Sequence, residues 1–125
     1  MTTDNLADAL LVLVGIVNLL PGAVATVSVE RAAAAYGVAL DGPDLAVVLR
    51  HRGVLLAIVG LALVVVPWWP EIRTAAIVGG VVSMASFVAI VLAKPGVGQP
   101  LRKVMWVDVG ALVLVLVAVL MRALG

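Results

Sequence analysis

The stretch "DLAVVLRHRGVLLAIVGLALVVVP", residues 44–67, decides how this chain is read. It is apolar and long enough to cross a bilayer, yet Arg50, His51 and Arg52 stand a third of the way along it. From Gly53 to Val66 only fourteen residues remain, about 21 Å of helix and less than the roughly 30 Å hydrocarbon core. The triplet therefore belongs at the boundary of the bilayer, where long cationic side chains can snorkel to the headgroups.

Working outward, three further apolar runs complete a set of four. The expected spans are about 6–20, 45–66, 74–93 and 104–121, since a crossing helix needs roughly 20 apolar residues. Pro21-Gly22 stops or kinks the first span, the alternative being a span that runs on to Val27. Between the first two spans, Ser28 as N-cap, Glu30 in the first turn and Gly37 as a stop predict an interfacial helix of about two turns. The expected architecture is all-α: a single domain, 1–125, built as a polytopic membrane four-helix bundle with that short helix between spans one and two.

Composition agrees. The 125 residues are 65% hydrophobic and 12% charged, with mean hydropathy +1.29. A water-soluble domain carries about twice that charge, so lipid is the expected solvent. A net charge of +1 gives no reason to expect a nucleic-acid partner. With no cysteine and one histidine, the chain lacks the donor set of a zinc, haem or iron–sulfur site, and no cofactor is expected. Asp4 and Asp8, without Lys or Arg before the first apolar run, argue for a retained helix rather than a cleaved signal peptide.

Loops one and three share a side of the membrane. With Arg50 and Arg52 that side holds six of the eight Lys and Arg residues, against Arg73 and Arg122 on the other. The positive-inside rule then places both loops in the cytoplasm and both termini outside the inner (plasma) membrane. Trp68 and Trp69 would anchor one interface and Trp106 the other, unless they pack between helices.

Consecutive helix residues differ by about 100°, so Arg50, His51 and Arg52 cannot face one pocket together. Arg50 lies at the edge of a small-residue face (Ala46, Gly53, Ala57, Gly60) that marks a close helix contact, whereas Arg52 reads as a headgroup anchor. Asp108 lies on a second inward stripe with Ala111, Val115 and Ala118. An Arg50–Asp108 or His51–Asp108 pair is the expected polar contact, and it reads equally as a functional site or as a lock between helices. Asn18, Glu30 and Tyr36 join this centre, and Ser83 with Ser86 supplies hydroxyls in span three. Candidate catalytic residues are thus His51, Glu30 and Asp108; candidate ligand-binding residues are Asn18, Tyr36, Arg50, Arg52 and Ser83.

The elements "NLLPG" (18–22), "VERAAAAYG" (29–37), "DLAVVLRHRGVLL" (44–56), "SMASF" (83–87) and "VDVGA" (107–111) together resemble a family of small bacterial four-helix integral membrane proteins. Some of its members are labelled phosphopantetheine adenylyltransferase. The resemblance spans nearly the whole chain. It implies the four-helix membrane fold and points to Asn18, Glu30, Tyr36, Arg50, His51, Arg52, Ser83 and Asp108. It brings no activity with it, because a soluble nucleotide-binding α/β fold cannot be built from four apolar spans.

Three functions follow as expectations. The first is binding of a membrane lipid or isoprenoid-like amphiphile, with the chain acting alone, as a homo-oligomer or as an accessory subunit of a membrane-protein partner. The second is acid–base catalysis of isomerase or hydrolase type on such an amphiphile, with His51 or Glu30 moving the proton. The third is a small oligomeric transporter in which Asp108 or Asp8 titrates.

Overall fold

The computed structural model describes residues 2–125. Its helices are α1 (Thr3–Val27), α2 (Val29–Tyr36), α3 (Pro43–Val65), α4 (Arg73–Ala93) and α5 (Gln99–Leu124), with a 3₁₀ turn at Pro70–Ile72. Four of them are long and apolar enough to cross a membrane, and the chain is read as a multi-pass membrane protein. No strand occurs among the described residues.

Local chemistry sets the boundaries. The Thr2 hydroxyl accepts the Asn5 N–H at 3.1 Å and caps α1. Pro21 lies inside α1, which continues through it to Val27, so the break is not made there. Ser28 caps α2 by accepting the Arg31 N–H at 3.4 Å. Gly37 closes α2 in the left-handed region, at φ 67°, where a Cβ would be strained. Proline stands in the first turn of α3 and of α5, where its missing N–H costs nothing. Helix α5 starts at Gln99, ahead of the apolar run at 104, because Pro100 opens a helix that also carries Arg102 and Lys103.

The four long helices alternate in direction and pack in the ring order α1, α3, α4, α5. One end of the bundle, here the loop end, carries the 28–42 and 94–98 connections; the other, the termini end, carries the 66–72 connection and both chain ends. Leu11, Val14, Leu63, Met84, Ala111, Val115 and Ala118 form the core. Trp68, Trp69 and Trp106 are exposed, not packed between helices, as interface anchors require.

The α1–α3 contact is the closest of the four. Gly15 and Gly22 on α1 face Gly60 and Gly53 on the antiparallel α3. A Cβ on Gly15 would lie 2.7 Å from the Gly60 carbonyl oxygen, and one on Gly60 would lie 2.6 Å from that of Gly15. Gly22 and Gly53 stand in the same relation, at 2.7 and 2.9 Å. The obstacle in each case is backbone, which cannot rotate away. Gly79 and Gly110 have nothing within 4 Å.

Gly60→Ala is therefore expected to destabilise the bundle by about 1–3 kcal/mol, the usual cost of overpacking. Gly79→Ala should leave it unchanged or more stable by up to about 1 kcal/mol through helix propensity. Unfolding followed by circular dichroism in detergent checks both, and equal behaviour of the two variants would refute the seam.

Candidate functional site

Just inside the loop end, α1, α2, α3 and α5 enclose a cavity of about 220 Å³. Val17, Pro21, Val24, Leu56, Val104 and Val107 make its wall apolar, and α2 forms its roof through Ala32, Ala35 and Tyr36. Asn18, Arg31, Arg52 and Asp108 bring the polar groups. Pro21 has no N–H, so it cannot supply the usual i→i−4 bond to the Val17 carbonyl on the same wall.

Asp108 is buried, 9% exposed, and forms no ion pair among the described residues. Arg52 lines the same cavity. Arg52 donates from Nε to the Tyr36 hydroxyl at 2.9 Å. Its guanidinium stacks 4.6 Å from the Phe87 ring centroid and 5.4 Å from that of Tyr36, within cation–π range. Arg52 is thus held in place by α2 and α4 while facing the Asp108 cavity.

This corrects the expected roles of the two arginines. Arg50 is exposed and is not the partner of Asp108; Arg52 turns inward. Gly53 already meets Ala25 and Thr26 near the end of α1. One turn further toward the loop end, Arg50 is exposed and makes no ion pair among the described residues. On the other flank Arg52 lies about 60° from Leu49 and 40° from Leu56, toward α2, α4 and α5.

The remaining candidates divide. Asn18 is 3% exposed and donates to the Val14 carbonyl at 2.9 Å and to the Met84 sulfur at 3.6 Å. It fixes the floor of the cavity, and Tyr36 fixes the roof. Glu30 is exposed and stays with its own helix start, where the Ser28 hydroxyl donates to it at 3.5 Å. His51 and Ser83 line a separate groove between α3 and α4, with Ser86 and Phe87. Arg52 stands between that groove and the cavity, lining both. The polar centre expected from the sequence is two places, and no His51–Asp108 pair forms. No grouping of three metal-ligating side chains occurs among the described residues.

A second ionic cluster at the termini end escaped the sequence reading. Asp8 of α1 accepts from Arg122 of α5 at 2.8 Å and from Arg73 at the start of α4 at 3.3 Å. Asp4 adds a longer contact to Arg122, at 3.6 Å. The signal was present: Asp8 lies on the inward face of α1 with Leu11 and Asn18, and Arg73 and Arg122 are the two basic residues assigned to that end.

Compared with family models, with curated proteins and with solved structures, the chain matches none.

Removing Asp8 strands two partly buried guanidiniums. Asp8→Ala should cost about 2–4 kcal/mol, somewhat less than the roughly 3–5 kcal/mol for breaking a fully buried pair, because these side chains are partly exposed. Arg50→Ala should change stability by less than about 0.5 kcal/mol, as expected for an exposed side chain. Detergent unfolding curves for the two variants test the assignment.

Proposed function

We propose that this protein binds a membrane amphiphile, of lipid or isoprenoid type, in the loop-end cavity. The observation that carries the reading is Asp108: a buried carboxylate without an ion-pair partner among the described residues, on the wall of an apolar cavity that also holds Arg52. An unpartnered buried charge is costly, and ionisable groups within membrane spans are retained chiefly where they serve a site. The apolar wall suits a hydrocarbon tail. Asp108 would accept a hydrogen bond from a hydroxyl or amine of the head, while Arg52 and, at the mouth, Arg31 would take an anionic group. Acid–base chemistry by His51 has less support, because that ring lines the other groove. The six-to-two bias of basic residues supports a cytoplasmic loop end and an inner-membrane location.

Native mass spectrometry of protein released gently from bacterial membranes tests the binding. A one-to-one amphiphile adduct is expected, retained in His51→Gln and lost in Leu56→Trp, which fills the cavity, and in Arg52→Gln. Bulk lipid in equal amounts on all four proteins would defeat the reading.

Orientation is tested separately, and the absence of native cysteines makes this direct. A membrane-impermeant maleimide should label Thr2→Cys in intact cells and Gly96→Cys only after lysis. The reverse pattern would invert the topology.

A further inference from the structure

The termini end holds more cationic donor capacity than its carboxylates use. Asp8 is shared by Arg73 and Arg122, so two full positive charges face one half-buried carboxylate. Among the described residues the only other acid in contact is Asp4, whose carboxylate lies 3.6 Å from Arg122 with its side chain 58% exposed and whose carbonyl accepts from Arg122 Nη2 at 3.4 Å; such a solvated pair compensates little. Arg73 reaches Asp8 through Nη2 alone. The Nε atoms of both Arg73 and Arg122 are buried and have no hydrogen-bond partner among the described residues. A buried donor left unpaired is destabilising, and two such donors at one place are an unmet demand for an acceptor.

Both side chains line one cavity of about 240 Å³ between α4 and α5. Leu11, Ile77 and Ala118 form its apolar floor, and Thr74 adds a hydroxyl at the rim. From these observations we infer that this cleft is a second binding site, distinct from the Asp108 cavity, for a phosphate-type oxyanion bridging Arg73 and Arg122. Several oxygens around one centre can accept from guanidiniums that approach from two helices, a geometry that suits Arg better than Lys. The same chemistry is offered by inorganic phosphate and by the phosphodiester of an anionic lipid, whose chains would continue over the apolar floor.

Thermal unfolding of the full chain in dodecyl maltoside micelles tests the site, titrated with inorganic phosphate and, separately, with phosphatidylglycerol. A saturable rise in midpoint of about 3–5 °C is expected, from ligand bound to the folded state alone. A rise with phosphate identifies a free-anion site; a rise with phosphatidylglycerol alone identifies a headgroup site. Either response should be lost in Arg73→Lys, which removes the fork. It should also be lost in Val119→Trp, which fills the cleft and leaves the ionic cluster intact. It should persist in Leu56→Trp, where the other cavity is blocked. No rise with either ligand overturns the inference, as does an equal rise with chloride at matched ionic strength. A response that survives both cleft variants, or one abolished by Leu56→Trp, also overturns it.

Discussion

Backbone meets backbone along the α1–α3 seam, and the rest of the molecule is arranged around that contact. Two glycines on each helix, seven residues apart, place carbonyl oxygens where side chains would stand. In lipid, apolar side chains gain little by leaving one hydrocarbon environment for another. Close approach of this kind, with its dispersion and weak Cα–H···O contacts, therefore supplies much of the association. The seam has a geometric cost on the opposite side. Helices α4 and α5 bring bulkier residues such as Met84, Met105 and Val115 to the core, so the ring is not evenly spaced. The cavity at the loop end opens where α5 and the short α2 must cover what the tight pair leaves uncovered.

That same arrangement assigns the arginines. Ten residues separate Arg50 from Gly60 on one helix, about 80° apart around its axis. Gly60 has α1 beside it, whereas Arg50 is exposed. Arg52, on the other flank, meets Tyr36 and Phe87 at the same depth. The opening triplet is therefore one inward cation, one outward cation and one histidine on a separate groove. The helix sets the angles between them, and the lengths of neighbouring helices set what each angle reaches.

Much of this was legible beforehand. Four apolar runs, the Ser28 cap and the Gly37 stop carry the architecture because each is a local property of a few residues. Gly53 and Gly60 were readable as a packing face for the same reason. The rotation of that face relative to Arg50 was not, since a helical wheel contains no information about where a partner helix ends. The Asp8 cluster was missed because it joins residues 65 and 114 positions apart, and nothing local to Arg73 or Arg122 names their acceptor. Helix α5 begins five residues ahead of the expected span, because Pro100 opens a helix whose first turns carry Arg102 and Lys103 and dilute the apolar signal.

The two ends of the bundle are fastened by different physics, and this gives the molecule a mechanical polarity. At one end α1, α4 and α5 converge on a single carboxylate, a three-way ionic rivet. At the other the corresponding acid is single, facing a cavity, and the roof over it is an eight-residue helix packed through only Val29, Ala32 and Ala33 and tied to α3 by Arg52. Local opening follows the weakest attachments. The helices should splay as the ribs of a half-open fan do, pivoting near Asp8 with displacement growing toward Tyr36. Lateral access from the bilayer to the Asp108 cavity is then from one leaflet, and a molecule inserted there widens the fan without loosening its pivot.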